Sequence, residues 1–235
     1  MMEATQKILD KIKKLKALSE GAAKVNSIAE SEAAALLMNN LLTKYNLSLM
    51  DIDDTDDTDN SKPSIEIERS DLISVQNPYG RLWKERLLMT LCMYNYCKVV
   101  RCSYKVFVLG TKVNATAVID FFNTLQSVYF YNGKKQYEQD KRYFKGGRLT
   151  EKYKRKYITS YLLGCSIGLS VKLQEIRSQE CTAVAIRHDE LIEDYISEKL
   201  NVKSKPIKQT KLHESAYLKG FADGKKTNLQ KSIRY

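Results

Sequence analysis

The chain has 235 residues, 43% of them apolar, with 39 Lys plus Arg against 28 Asp plus Glu, a formal charge of +11. That is long enough for one full-sized core, or for a small unit attached to a larger one. An odd number of cysteines and a charged, amphipathic start from Met1 to Leu18 argue against a secreted disulfide scaffold. The longest apolar stretch, Tyr157 to Val171, is interrupted by Thr159, Ser160, Gly164, Ser166 and Gly168. It is shorter than the ~20 residues a spanning helix needs, so no membrane is expected and the cytoplasm follows by elimination.

In chain order, Ile8, Ile12, Leu15 and Leu18 share one face, with lysines on the others, and predict a first amphipathic helix that Gly21 lets stop. Ser27 and Glu30 have the spacing of a capping box. The helix behind them carries Ala29, Ala33, Leu37 and Leu41, and Asn46 is expected to end it in the left-handed conformation. Residues 1–50 therefore read as a helical hairpin. Asp51 to Asp59 hold six aspartates, whose repulsion and poor propensities predict a linker over 51–63. A calcium loop would need a turn glycine and a terminal bidentate acid, and both are missing there.

The rest, 64–235, reads as a basic α+β domain, mostly helical with a small β-sheet. Ile65 to Arg69 alternates like an edge strand. Asn77-Pro78 resembles a helix start, with Leu82, Trp83, Leu87, Leu88 and Leu91 following. The runs 97–101 and 105–109 predict a hairpin turning at Cys102-Ser103. Gly110-Thr111 can cap a long helix carrying Val118, Phe121, Phe122, Leu125 and Val128. A further helix is expected over 151–177, a strand over Thr182–Arg187, a helix capped by Asp189, and a last helix bearing Tyr217, Gly220, Phe221 and Gly224. Gly164/Gly168 and Gly220/Gly224 each put two glycines on one helix face, the pattern of close helix packing.

No residue stands out as catalytic, and no metal or cofactor is expected. Cys92, Cys97 and Cys102 are evenly spaced without the paired spacing of zinc ligands, and read as core thiols. His188 and His213 are the only histidines; Asp189 and Glu190, adjacent to the first, would point away from it on a helix. A Glu-x-Lys nuclease core is absent, Glu175-Ile176-Arg177 being the nearest, and so are a phosphate-binding glycine loop, Gly-x-Ser-x-Gly and His-Glu-x-x-His.

The charge itself is uneven. Residues 1–60 hold seven lysines against eleven acids, a net of −4, whereas residues 61–235 carry +15. Such a dipolar chain suits a polyanion or an acidic protein face, although a Lys-rich surface also simply favours solubility. The densest segment, Lys134 to Lys156, has ten cations against three acids, with tyrosines and a phenylalanine interleaved. Cations neutralise phosphates and aromatic faces stack on unpaired bases. The expected nucleic-acid contacts are therefore Lys134, Lys135, Lys141, Arg142, Tyr143, Phe144, Arg148, Lys152, Lys154, Arg155 and Lys156. Residues 199–235 repeat the excess, at +8.

Lys11-Ile-Lys-Lys-Leu-Lys-Ala-Leu-Ser19, Glu32-Ala-Ala-Ala-Leu36 and Leu42-Thr-Lys-Tyr-Asn-Leu-Ser48 together resemble the N-terminal signature of the family called domain of unknown function 2786. Trp83, Phe107 to Gly110, Tyr161 to Gly164 and Ala216 to Gly224 resemble the region usually attached to it. The resemblance implies a phage or mobile-element protein, in the host cytoplasm if phage-encoded, and brings no activity or functional residues. The expected function is non-enzymatic binding of DNA or RNA, or of a complex carrying it. The alternative is a protein-binding module that inhibits a host or defence protein.

Overall fold

The computed structural model describes residues 2–53, 65–144, 149–176, 180–200 and 212–225. Within them are α1 (Met2–Lys24), α2 (Ile28–Asp53), β1 (Glu68–Arg69), β2 (Ile73–Ser74), α3 (Leu82–Tyr94), β3 (Lys98–Cys102), β4 (Lys105–Gly110), α4 (Lys112–Lys141), α5 (Glu151–Ile176), α6 (Glu180–Lys199) and α7 (Glu214–Lys225). The class is α+β, with helices dominating a small antiparallel sheet.

The α1–α2 turn shows how the chain selects its own breaks. The first helix runs through Gly21 and ends instead at Asn26, which adopts φ +55° while Ser27 N donates to Ala22 O at 2.9 Å. That is the left-handed helix stop, supplied by asparagine. Ser27 Oγ then accepts from Glu30 N at 3.3 Å, one half of the expected capping box; the other half is not formed, since Ser27 N is taken by Ala22 O. The second helix passes straight through Asn46. This residue is buried, its amide donating to Leu42 O at 2.6 Å and exchanging hydrogen bonds with Asn114 at 3.1 Å. An asparagine amide satisfied by a tertiary partner has no reason to end a helix.

β4 is the centre of the sheet. β3 pairs with it antiparallel from Lys98↔Leu109 to Cys102↔Lys105, closed by a tight turn in which Ser103 takes φ +56°. Along the other edge lie β1 and β2. Their pairings, Glu68↔Gly110 and Ile73↔Val106, differ in register by one residue, so the two are one strand interrupted by a bulge. Ser70 bridges it: its N–H donates to Val108 O and its Oγ accepts from Val108 N, both at 2.9 Å. Of the strand expected over 65–69, only Glu68 and Arg69 join the ladder.

Two further expectations are corrected. Asn77-Pro78 forms a turn, not a helix start: Asn77 Oδ1 accepts from Tyr79 N, Asn77 O accepts from Gly80 N, and Gly80 sits at φ +89°. The helix begins at Leu82. Thr182–Arg187 is helical, within α6, and Asp189 lies inside that helix rather than capping it. The period of buried Ile192 extends upstream to buried His188, and this helical spacing overrides the β-branched residues.

The sheet lies between two apolar layers. Val106 and Val108 face a core built from α1 to α5, with Trp83, Phe121, Phe122, Leu125, Tyr129 and Leu162 among its buried side chains. Phe107, Leu109, Val100 and Ile67 face the opposite way and are covered by Ile192 of α6. Ile12, Leu36, Met38 and Leu42 of the hairpin belong to the first core, continuous with the residues of α3, α4 and α5. The boundary expected over 51–63 falls mostly outside the described residues.

The last contact sets the site. Helices α5 and α7 cross through their glycines. A Cβ on Gly164 would lie 2.2 Å from Tyr217 O, and one on Gly220 would lie 2.0 Å from Tyr161 O. Backbone meets backbone, and the N-terminal end of α7 comes to rest beside the first turns of α5.

Candidate nucleic-acid interface

Three helix ends converge at one corner: the end of α4, the start of α5 and the start of α7. Thr111 Oγ1 accepts from Asn114 N and starts α4, which continues into its polar last turns as far as Lys141. Lys134 and Lys135 are exposed on this helix, Lys134 Nζ standing 4.2 Å over the Phe130 ring. Lys141 pairs with Glu138 at 3.6 Å, and Arg142, Tyr143 and Phe144 follow on the surface. Tyr143 is 83% exposed and Phe144 45%. Arg148 lies outside the described residues.

On α5, Lys152, Arg155 and Lys156 are exposed. Lys154 is different. It is half-buried, 4.0 Å from Glu151 and 5.7 Å from the Tyr137 ring centre, so its charge is partly spent within the protein. The aromatic residues divide likewise. Tyr137 and Tyr157 are buried and meet edge to face at 5.5 Å, whereas Tyr143 and Phe144 remain open. Of the basic tail, Lys199, Lys219 and Lys225 are described: Lys199 Nζ stands 4.8 Å over the Tyr195 ring, while Lys219 and Lys225 have carboxylate partners, Asp140 at 2.6 Å and Glu175 at 3.8 Å.

The structure adds residues that the sequence did not single out. A cleft of about 360 Å³ opens at this corner, lined by Tyr143, Phe144, Tyr153, Tyr157, His213 and Lys219 among others. Asp140 lies in its wall. Burial works against ionisation of this carboxyl, but hydrogen bonds from Lys219, Tyr157 and Gln136 outweigh burial and hold it below the ordinary carboxylate range. Lys219 Nζ reaches both carboxylate oxygens at 2.6 Å. Burial, and then the hydrogen bond to and charge of Asp140, push the Tyr157 hydroxyl well up, so it stays protonated and donates to Asp140.

His213 closes the far side. Its Nδ1 accepts from Ala216 N at 3.4 Å, which caps α7 and leaves the ring proton on Nε2, 2.9 Å from Tyr153 Oη. Its own N–H donates to Ser160 Oγ at 2.8 Å. Burial first, and Lys156 second, hold its pKa below that of an ordinary histidine, so the ring is neutral at neutral pH. The His213 ring is perpendicular to Tyr153 at 5.2 Å and lies 5.1 Å from Tyr157. The 60 residues separating Tyr153 from His213 hide this pair from any local pattern.

The other reactive groups are elsewhere. His188 is buried against Tyr96, with ring centres 5.3 Å apart, and burial, then Arg187, holds its pKa down to about 4. Cys92 and Cys97 are buried free thiols pushed up by burial, Cys165 is also buried and free, and Cys102 is free and exposed. The Cys181 side chain lies outside the described residues. Among the described residues no group of three His, Cys, Asp or Glu side chains is placed to hold a metal ion. Among them, too, no helix is long and apolar enough to cross a membrane.

Residues 7–49 match the model of a family described as a protein of unknown function, DUF2786. The match lies within the N-terminal hairpin. No curated protein and no solved structure matches the chain. The DUF2786 match spans most of α1 and most of α2, and its signature residues have visible roles. Leu36 and Leu42 are in the core, Lys16 donates to Asp120 at 2.8 Å, and Glu32 is buried and accepts from Tyr129 Oη. The DUF2786 match ends well before the basic corner, so the cleft and its cations belong to the part of the chain outside it.

Proposed function

We propose that this is a non-enzymatic, phage-type protein that binds DNA or RNA, or a complex carrying it, on the basic corner formed by α4 and α5. The observation that supports this is the exposure of Lys134, Lys135, Arg142, Lys152, Arg155 and Lys156 on α4, its end and α5, together with the two open rings of Tyr143 and Phe144. Within the described residues these cations have no carboxylate partner, so their charge is available to phosphates. Lys154 and Lys219, each with an acidic partner, contribute less. Long-range attraction between a corner of this sign and a polyanion requires no particular sequence, and base contacts supply any selectivity.

The test is a binding titration at several salt concentrations. If about four to six phosphates are neutralised, log affinity falls with log salt at a slope of roughly −3 to −5. The triple variant Lys152→Ala, Arg155→Ala, Lys156→Ala is expected to bind more weakly and to flatten the slope by about 2 to 3. Lys154→Ala alone changes the slope least. Absence of binding to either DNA or RNA at low salt would end this reading and favour a protein partner.

A further inference from the structure

We propose that the cleft between α4, α5 and α7 receives one unpaired nucleobase of a single strand, with the exposed cations of α4 and α5 holding the adjoining phosphates. This rests on the nucleic-acid reading above and names the ligand that the cleft itself would select. At about 360 Å³ the space is at the small end for ligand clefts, which run from ~300 to ~1,000 Å³. It suits a base with part of its sugar and not a duplex. Its walls are rings. Phe144 and Tyr153 lie 5.8 Å apart at 49°, and Tyr153 and Tyr157 lie 6.4 Å apart at 36°. Tyr143 is the most exposed of the lining rings, with its face open to a guest.

An aromatic cage beside a carboxylate could instead suit a quaternary ammonium ion. The charges oppose that. Both oxygens of Asp140 are occupied by Lys219, with Tyr157 and Gln136 adding further hydrogen bonds. Lys141 also lines the cleft, and Lys156 is close enough to depress His213. The lining carries Lys141 and Lys219 against Asp140, whose charge Lys219 already neutralises, so the fitting guest has a π-face and needs no positive charge of its own. A nucleotide within a strand meets both conditions. The cleft also offers a directed hydrogen bond. His213 Nε2–H donates to Tyr153 Oη, which leaves the tyrosine's own proton to donate to a ring nitrogen or carbonyl of the base. Every base presents such an acceptor, so this contact favours unpaired bases without choosing strongly among them. A paired base is stacked out of reach unless it is flipped, which costs a few kcal/mol.

The test uses the full chain and an oligonucleotide carrying 2-aminopurine, whose fluorescence falls when the base stacks. Single strand and duplex of equal length are titrated at low salt. Stacking quenches the single strand on binding. The double variant Tyr143→Ala, Phe144→Ala removes only exposed rings; it is expected to abolish the quench and weaken single-strand binding roughly five- to hundred-fold. Duplex affinity is expected to fall less than single-strand affinity, and the salt slope to stay as in the parent. Tyr153→Phe keeps the ring and is expected to retain the quench with weaker binding. Equal binding of single strand and duplex, with no quench but a normal salt slope, overturns the cleft assignment and leaves the nucleic-acid reading standing. So does a double variant that binds single strands like the parent. No binding of either form overturns both.

Discussion

Helices α2 and α7 are both docked on the α4–α5 framework, and they are held by opposite means. The hairpin uses buried polar pairs. Asn46 and Asn114 exchange two hydrogen bonds, Asn39 donates to Asn95 Oδ1 at 3.1 Å and to Tyr94 O, and Glu32 accepts from Tyr129. α7 uses absence of side chain, its glycines pressed onto the backbone of α5, with Tyr161 Oη donating to Asp223 at 2.7 Å beside them. Polar pairs specify which residue faces which, because a buried amide left alone is costly. Glycine contacts specify distance, because no rotamer change can make room for a Cβ against a carbonyl. The functional consequence is that the cleft depends on the second mode: His213 and Lys219 reach Tyr153 and Asp140 because α7 lies so close.

The sharpest way to break this contrast is Gly220→Ala. Its Cβ would meet Tyr161 O at 2.0 Å, so α7 must lift, at an expected cost of about 3 kcal/mol or more in urea unfolding. The same substitution at Gly21, where a Cβ meets nothing within 4 Å, is expected to stabilise by about 0.5–1 kcal/mol. If both behave alike, the close approach of α5 and α7 does not govern stability.

A third docked element, α6, adds a titratable contact. His188 is neutral in both folded and unfolded chains above its ordinary pKa near 6.5, so it contributes no pH dependence there. As pH falls from about 6.5 to about 4 the unfolded chain takes up a proton that the folded one refuses. Stability is therefore expected to fall over that window, by at most ~3 kcal/mol and less if α6 opens locally first. Below about 4 the effect levels off. His188→Gln should remove this part of the slope in a pH series of denaturation curves; an unchanged slope would assign it to other groups.

A last test separates the polar mode from simple packing. Asn114→Ala leaves the buried Asn46 Oδ1 without its donor and its amide with Leu42 O alone, and should cost ~1–3 kcal/mol. Removing both, as Asn46→Leu with Asn114→Leu, should cost less than the two single changes added together. A double-mutant cycle reads that coupling, and strict additivity would show that the amides act independently.

What was legible in the sequence was whatever neighbouring residues decide. The Ser27 cap, the 98–110 hairpin, the Thr111 cap and the long α4 all follow from local patterns of hydroxyl, β-branched and apolar residues. The glycine pairs announced close packing, though not that they would face one another. The misreadings share one cause. Asn46, Asn77 and residues 182–187 each carry a locally reasonable signal that a distant partner, a turn hydrogen bond or a neighbouring helical period overrides. The basic segment could be counted along the chain, but only the fold separated Lys154, turned toward Glu151 and Tyr137, from the open Lys152, Arg155 and Lys156. The cleft was further out of reach. Asp140, Tyr153, His213 and Lys219 are brought together by the α5–α7 crossing, and hydrogen bonds across 60 to 79 residues leave no periodic trace in a sequence.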